Sequence, residues 1–166
     1  DYGIKKDVTV TMDSAFQHPV EDRYAQQFAE DKDLTQFISQ YRKVIGITIT
    51  DLMWNPTYEG NHDLANKINE TFKTVVMQLT AQGYGVVFIP QLLGRADDAK
   101  YMGQFANENC YVLPVNQKND CYYQQYVISQ MYAVIGMRYH SNIFAAKMGT
   151  PFISISYEQK MAGFMQ

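Results

Sequence analysis

Residues 44–50 read VIGITIT, a run of β-branched and small residues that predicts a buried strand. After a loop, Asn61 can cap a helix that runs to about Gln82. Gly83 can end this helix, and residues 84–89 (YGVVFI) predict a second strand of the same kind. A strand, a helix and a strand in this order are typical of an α/β fold. One apolar stripe runs along the helix: Leu64, Ile68, Phe72, Val75, Val76 and Leu79.

The alternation of strands and helices continues on both sides of this unit. The central strands are continuous apolar runs, which is typical of a parallel sheet covered by helices on both faces. We therefore predict a Rossmann-like, doubly wound α/β domain with a mostly parallel sheet. A two-component receiver domain is rejected, because the chain has too many strands and lacks a loop with paired acids after the first one. The further predicted strands are 8–12, 110–113, 133–137 and 152–156, and the further predicted helices are 24–30, 34–41, 97–107, 122–131, 141–148 and one from Glu158 onward.

The length of 166 residues and the hydrophobic fraction of 46% suit one domain with one sizeable core. We expect an interdomain or leading segment at residues 1–42, with one short strand and helices, and a Rossmann-like α/β domain at residues 43–166. The chain begins at Asp1 rather than at a methionine and stops at Gln166 inside a predicted helix. We therefore expect it to be a fragment of a longer protein, inactive in isolation if the site needs residues outside the fragment.

The net charge of −3 lacks the basic field of a nucleic-acid-binding protein, so we expect no nucleic-acid partner. Cys110 and Cys121 are far apart and have no metal-type spacing, which favours free thiols in a reducing, cytoplasmic compartment over a disulfide. No apolar run approaches the roughly 20 residues of a membrane helix, and peripheral association with the inner face of the membrane stays open. We expect no metal ion and no bound cofactor.

Polar residues are concentrated in the loops that leave the predicted strands, and ligands of such sheets bind at the carboxyl ends of the strands. Arg138 and His140 follow the strand at 133–137, and Ser141 opens the next predicted helix. The unpaired amides of a first helical turn, a guanidinium and an imidazole together predict a site for phosphate or carboxylate, with Arg138 and Ser141 as candidate substrate-binding residues and His140 as the candidate catalytic residue. The alternative is that Ser141 merely caps the helix, that His140 satisfies a carbonyl group and that Arg138 forms a surface ion pair.

Two further strand exits supply candidate substrate-binding residues. Lys160 follows the last predicted strand and should lie near His140 if the two strands are neighbours. A solvated lysine is the alternative, and Lys147, on the intervening helix, is expected to face solvent. Trp54 lies in the loop that follows the strand at 44–50. It either stacks on a sugar ring or packs against the core.

The loop after the second strand holds Arg95 close to Asp97 and Asp98. Arg95 is a candidate for substrate binding, although an ion pair with one of these acids is favoured slightly. The two acids are more typical of a helix N-terminus than of a magnesium site. Asp13 follows the first predicted short strand and is a candidate acid or base, with a cap or hinge as the alternative. His18 has no partner in the sequence, and we expect no functional role for it.

Residues 134–160, VIGMRYHSNIFAAKMGTPFISISYEQK, resemble the polysaccharide pyruvyl transferase family. The C-terminal half of that family carries an arginine–any–histidine–serine element after a strand, a helix with small residues, a Gly-Thr-Pro turn, an apolar strand and a Tyr-x-x-Lys. All of these occur here in order. Residues 13–16 also resemble the family's interdomain Asp-x-Ala-Phe, with Ser14 where proline is common, and Pro90, Gly94 and the acids at 97–98 are a looser match.

The resemblance implies a two-domain architecture like that of GT-B glycosyltransferases, with the active site between the domains and this chain as the C-terminal half. Members transfer the pyruvyl group of phosphoenolpyruvate to a sugar as a cyclic ketal in cell-surface polysaccharide biosynthesis. Phosphoenolpyruvate is then the donor substrate, and a glycan on a lipid or nucleotide carrier is the acceptor. By the same resemblance Arg138 binds the anionic groups of the donor, His140 binds the donor or transfers a proton, and Lys160 binds the donor or the diphosphate of the acceptor's carrier. The general acid is not identified in this chain.

Two other functions stay open from the residues. A GT-B-type glycosyltransferase would hold a nucleotide sugar at the same edge, but Glu158 is the only acid after Ser156 that could grip its ribose. A non-catalytic anion-binding or sugar-binding module could have lost its catalytic residues. Because Arg138, His140 and Lys160 are all present, this function is disfavoured.

Overall fold

The computed structural model describes residues 7, 11–92, 94 and 97–165. Five strands in this part of the chain form one all-parallel sheet in the order β3-β2-β1-β4-β5. The predicted parallel α/β class is therefore confirmed. The predicted strand at 8–12 falls largely outside the described residues. The five strands are β1 (Val44–Thr48), β2 (Gly85–Phe88), β3 (Cys110–Val112), β4 (Ala133–Gly136) and β5 (Phe152–Ser154).

The helices alternate with the strands, as predicted, with some changes at their ends. The fourth helix is shorter than the predicted 97–107, and the sixth begins two residues before the predicted Ser141. None of the described helices is long and apolar enough to cross a membrane. The helices are α1 (Arg23–Glu30), α2 (Lys32–Ser39), α3 (His62–Ala81), α4 (Asp98–Gly103), α5 (Cys121–Ser129), α6 (Tyr139–Met148) and α7 (Gln159–Phe164), and 3₁₀ turns lie at Ser14–Phe16 and Leu52–Trp54.

Both faces of the sheet are buried, each in its own apolar core. On β1, Val44 belongs to the core that also contains residues of α1, α2, α5 and α6. Ile45 and Ile47 belong to the opposite core, with residues of α3 and α4. Because successive side chains of a strand point to opposite faces, a strand buried on both sides needs an apolar or small residue at every position. This explains the unbroken run at 44–50 and confirms the doubly wound arrangement.

The order of the strands opens a crevice between β1 and β4. The chain runs from β1 outward through β2 and β3, and then returns to pair β4 with the other side of β1. The backbone N–H of Met137 donates to the carbonyl of Thr48 at 2.7 Å, so the two strands end side by side. Connections that leave such a pair in opposite directions form the crevice in which α/β proteins bind ligands. The residues that follow Thr48 and Gly136 are therefore placed at its mouth.

Gly136 allows α6 to begin close against the end of β4. A Cβ atom at this position would overlap the Asn142 side-chain oxygen and would lie 2.9 Å from Ser141 Oγ. A contact that short is not tolerated in a packed interior. The glycine is thus needed to bring the first turn of α6 to the crevice.

Lys147 does not face solvent as predicted, because its position on α6 points towards α5 and the leading segment. Its ammonium group donates to the carbonyls of Ala15 (2.8 Å) and His18 and to Oε1 of Gln125 (2.8 Å). Burial lowers the pKa of Lys147. The prediction failed because these backbone partners lie about 130 residues away in sequence. Lys147 therefore fastens the segment around the first 3₁₀ turn to the domain.

Candidate active site

The first turn of α6 forms the centre of the candidate site. Arg138 has extended backbone dihedrals (φ −86°, ψ 136°) and is the N-cap residue, so His140 and Ser141 both lie within the first turn. Ser141 is fully buried. Its hydroxyl donates to the carbonyl of Arg138 and accepts from Thr48 Oγ1, both at 2.6 Å. Ser141 therefore anchors α6 to β1 and does not face the crevice, where direct contact with a substrate was predicted.

Arg138 is held by a two-point ion pair with Asp98. Its Nη2 donates to Asp98 Oδ1 at 2.6 Å and its Nε donates to Oδ2 at 3.1 Å. Asp98 is 1% exposed, and its Oδ2 also accepts the backbone N–H groups of Gln91 and Leu92. Such a buried, fully bonded pair fixes the plane of the guanidinium. The alternative of a surface ion pair at Arg138 is thus replaced by a buried one that orients the arginine.

Arg138 keeps donors beyond those that Asp98 uses. A guanidinium has five N–H donors, and Asp98 takes two of them. The ring of Trp54 lies 5.9 Å from the guanidinium carbon, within the range of a cation–π contact. Trp54 is 43% exposed, so it lies at the surface beside Arg138. This position suits the predicted stacking on a sugar better than the alternative of a buried plug.

The loop after β5 closes the other side of the site. The Tyr58 hydroxyl donates to the carbonyl of Tyr157 at 3.0 Å, which ties this loop to the one after β1. Lys160 lies 3.0 Å from Glu158 and 5.7 Å from the ring of Tyr139. The Lys160 side chain is 58% exposed. Burial raises the pKa of Tyr157, partly offset by the neighbouring Arg138.

His140 is exposed at the first turn of α6. Its ring packs against Tyr139, with centroids 5.5 Å apart, and against Phe144, at 6.0 Å. These aromatic contacts hold the imidazole at the crevice while leaving it accessible to a ligand. A first helical turn carries partial positive charge, so an anion beside His140 is favoured by the helix as well as by Arg138.

A pocket of about 170 Å³, which we call the Arg138 pocket, brings the predicted cationic residues together. The Arg138 and His140 side chains come from the exit of β4, and Lys160 comes from the exit of β5, as the pairing of these strands predicts. Its lining residues are Gln91, Leu92, Arg138, Tyr139, His140, Tyr157 and Lys160.

Asp13 lies in an adjoining pocket of about 370 Å³, which we call the Asp13 pocket. Its carboxylate accepts the backbone N–H of Ala15 at 2.9 Å and so caps the first 3₁₀ turn. His140 and Gln91 line both pockets. The structure therefore supports the alternative role of Asp13 as a helix cap. It also places Asp13 and His140 on the wall of the same pocket.

The remaining predictions concern Arg95 and metal binding. Arg95 lies outside the described residues. Of the acids close to it in sequence, Asp98 binds Arg138, and Asp97 caps α4 by accepting the N–H groups of Ala99 and Lys100. Within residues 11–92, 94 and 97–165, no group of three His, Cys, Asp or Glu side chains could hold a metal ion.

Asp98, Gln91 and Tyr157 join the site without having been predicted as its members. In the sequence, Asp98 is a candidate partner of Arg95, of the helix dipole or, less favourably, of a magnesium ion, and it belongs to the looser family match. Asp98 follows β2, whereas Arg138 follows β4 on the other side of β1. Only the strand order shows that these two residues can lie close together. Tyr157 carried a usable signal, because it shares a strand-exit loop with Lys160.

Comparison with protein families matches residues 1–159 to a family model described as polysaccharide pyruvyl transferase. The match includes Arg138, His140 and Tyr157 and ends one residue before Lys160. A search of curated proteins and a search of solved structures each found no match.

Proposed function

The chain belongs to the polysaccharide pyruvyl transferase family, and we propose that it transfers the pyruvyl group of phosphoenolpyruvate to a sugar as a cyclic ketal. The observation that carries this proposal is the Arg138 pocket, in which two cationic side chains and an accessible imidazole surround one small cavity at the crevice of the sheet. We propose that these side chains, together with the amides at the start of α6, match the charge of the donor.

Phosphoenolpyruvate is small and carries a carboxylate and a phosphate. The N–H groups of Arg138 that Asp98 does not use can form charge-assisted hydrogen bonds with one of these groups. The Lys160 ammonium group reaches the same pocket from the opposite loop, and the first-turn amides of α6 add further donors. Because Lys160 is largely exposed, we also propose as its alternative role the binding of the diphosphate of the acceptor's carrier.

The transfer needs protons to move at two places. A proton is added to the methylene carbon of phosphoenolpyruvate, and C2 becomes cationic. Two hydroxyls of the sugar form bonds to C2, the bond from C2 to the phosphate oxygen breaks, and inorganic phosphate leaves. Of the two hydroxyl protons, one balances the new methyl group and the other leaves with phosphate. We assign to His140 the transfer of a hydroxyl proton, because it is accessible at the pocket wall.

Fixed positive charge contributes to this chemistry as well as to binding. Negative charge develops on the departing phosphate, and preorganised donors in a partly desolvated site stabilise it. Asp98 holds Arg138 in place before the donor binds. The arginine therefore needs little rearrangement when the donor binds. Trp54 lies beside Arg138, and we propose that it stacks on a sugar of the acceptor other than the one that reacts.

The wider context of the reaction is also part of the proposal. We propose that residues 1–42 lead into a Rossmann-like domain at 43–166, and that this domain is the C-terminal half of a GT-B-like enzyme. The donor site would then face a second domain that contributes the general acid. The product would be a pyruvylated cell-surface polysaccharide, assembled from a carrier-linked sugar in the cytoplasm or at the inner face of the membrane.

A turnover experiment tests the proposal. The full-length protein is incubated with phosphoenolpyruvate and a panel of lipid-linked and nucleotide-linked sugars, and phosphate release and the mass of each sugar are followed. We expect release that depends on one acceptor, together with a pyruvyl ketal on that acceptor. Arg138→Gln should abolish both, whereas Arg42→Gln, at the exposed entry to β1, should not. Transfer from a nucleotide sugar without consumption of phosphoenolpyruvate would overturn the proposal.

A further inference from the structure

The Asp13 pocket adjoins the Arg138 pocket and differs from it in charge. Its volume of about 370 Å³ lies within the range of small-molecule sites. It is bounded by the first 3₁₀ turn and by residues of α5 and α6. No lysine or arginine side chain is among the described residues that line it, and Asp13 is its acidic residue. A polyanion such as phosphoenolpyruvate therefore fits the Arg138 pocket, while an uncharged, hydroxyl-rich ligand fits the Asp13 pocket.

Three glutamine side chains are among the described residues that line the Asp13 pocket. Two of them form hydrogen bonds with other protein groups, and the third has a donor without a partner. Gln124 donates to the carbonyl of Pro90 at 2.9 Å, and Gln125 bonds both Lys147 and the carbonyl of Cys121. The Nε2 of Gln91, in contrast, is buried and has no hydrogen-bond partner among the described residues. A buried donor without a partner is costly. Gln91 lines both pockets, so its side-chain amide lies at the boundary between them.

The remaining walls suit a sugar ring. His18, Asp13 and Ser14 present polar groups from the leading segment, and Tyr122 presents an aromatic ring from α5. Rings that stack and polar groups that bond hydroxyls are the usual contents of a polar small-molecule site. Lys147 holds the leading segment in place through the carbonyls of Ala15 and His18, so this wall is fixed to the domain.

We propose that the Asp13 pocket binds the acceptor as an uncharged hexose ring whose reacting hydroxyls point towards His140. This proposal rests on the function proposed above. The two sugar hydroxyls must reach C2 of a donor in the Arg138 pocket, and the two pockets meet at His140 and Gln91. His140 can then accept the proton of a hydroxyl as the bond from its oxygen to C2 forms. His18, predicted to have no role, becomes a specificity-determining residue.

Cys121 allows the pocket to be tested without turnover. Cys121 is exposed on the wall of the Asp13 pocket, whereas Cys110 is half-buried on β3 and serves as an internal reference. The protein is alkylated with iodoacetamide, and modification of each cysteine is followed by mass spectrometry. Methyl hexosides, with glycerol as control, are added in the presence of phosphoenolpyruvate. We expect at least one hexoside to slow alkylation of Cys121 by about tenfold near saturation and to leave Cys110 unchanged. If no hexoside protects Cys121, the proposal is wrong.

Kinetics supply the second measurement. In His18→Ala, loss of a hydrogen bond to a bound hydroxyl should raise the KM of the acceptor by about tenfold, with the KM of phosphoenolpyruvate unchanged. His62→Ala, on an exposed turn of α3, is the matched control. An unchanged acceptor KM in His18→Ala would contradict the assignment. If no acceptor supports phosphate release but hexosides still protect Cys121, the proposed reaction fails and the sugar pocket stands.

Discussion

The Asp98 carboxylate and the Arg138 guanidinium form a bidentate ion pair, joined by hydrogen bonds of 2.6 and 3.1 Å across 40 residues of sequence. Asp98 begins α4, which follows β2, and Arg138 lies between β4 and α6, so the pair spans the crevice above β1. The arginine proposed to bind the donor is thus oriented by a carboxylate that is itself buried and bonded to two backbone amides.

Asp98→Asn should impair donor binding more than acceptor binding. The amide cannot accept both guanidinium hydrogen bonds, and its NH₂ group opposes the N–H groups of Gln91 and Leu92. We expect the KM of phosphoenolpyruvate to rise at least about tenfold and the free energy of unfolding to fall by about 3 kcal/mol. Steady-state kinetics and urea unfolding measure the two effects.

Asp97→Asn is the matched control for that change. Asp97 is exposed and caps α4, and asparagine caps a helix about as well as aspartate. Both the donor KM and the stability should stay close to those of the wild type. A donor KM that is unchanged in Asp98→Asn, or a rise shared equally by the acceptor KM, would show that Asp98 does not position Arg138.

Gly136→Ala should displace the start of α6. The added methyl group would meet Asn142 and Ser141, both fully buried. We expect a loss of about 1–3 kcal/mol in the free energy of unfolding, as for other overpacked sites, together with a loss of pyruvyl transfer. Gly163→Ala, in α7 with open space around the glycine, should be neutral or stabilising. Equal stability of the two variants would contradict this account of the helix start.

Lys147→Met should loosen the leading segment. The substitution keeps the length of the side chain but leaves the carbonyls of Ala15 and His18 without their donor. We expect the free energy of unfolding to fall by about 1–3 kcal/mol. Lys73→Met, on the exposed face of α3, should change stability little. Indistinguishable melting temperatures for the two variants would show that the fastening is weak.

Stability should fall at alkaline pH because of Tyr123. This side chain is fully buried, and its hydroxyl donates to Asp31 at 2.9 Å. Burial first, and then the bond to Asp31, raise the pKa of Tyr123 above its ordinary value of 10.0. The folded state therefore keeps the proton where the unfolded chain loses it, so the contribution is complete below pH 10 and declines as the pH rises towards the folded-state pKa. Urea unfolding of the wild type and of Tyr123→Phe at increasing pH measures this.

The stability of the wild type and that of Tyr123→Phe should depend differently on pH. Tyr123→Phe should be less stable than the wild type at pH 8, by about 1 kcal/mol for one lost hydrogen bond, and should lose less stability above pH 10. A pH dependence that is the same in both would mean that Tyr123 does not contribute to it.

The fold was accessible from the sequence because its strands are buried on both faces. The apolar run at 44–50 indicates a strand, and the apolar stripe of α3 indicates a helix. The alternation of such strands and helices along the chain indicates a parallel sheet. The edge on which polar residues collect then follows from the direction of the strands. The closeness of Lys160 to His140 follows in the same way from the pairing of β4 with β5.

The contacts of individual charged side chains were not accessible in this way. Asp98 has Arg95 three residues before it in the sequence, whereas its pairing with Arg138 depends on the strand order β2-β1-β4. Lys147 lies where its neighbours on α6 suggest solvent, but its partners come from a segment whose path no local pattern specifies. Long-range electrostatic pairs depend on packing geometry, and propensity or periodicity carries no information about them.

Phosphate release by His140→Ala, measured beside His62→Ala, tests the central claim most directly. His140 is exposed, so its removal should leave the fold and the melting temperature unchanged. The account predicts that acceptor-dependent release of phosphate from phosphoenolpyruvate falls at least about a hundredfold in His140→Ala, as expected when a proton-transfer group is lost, and stays at the wild-type rate in His62→Ala. Release by His140→Ala at the wild-type rate would contradict it.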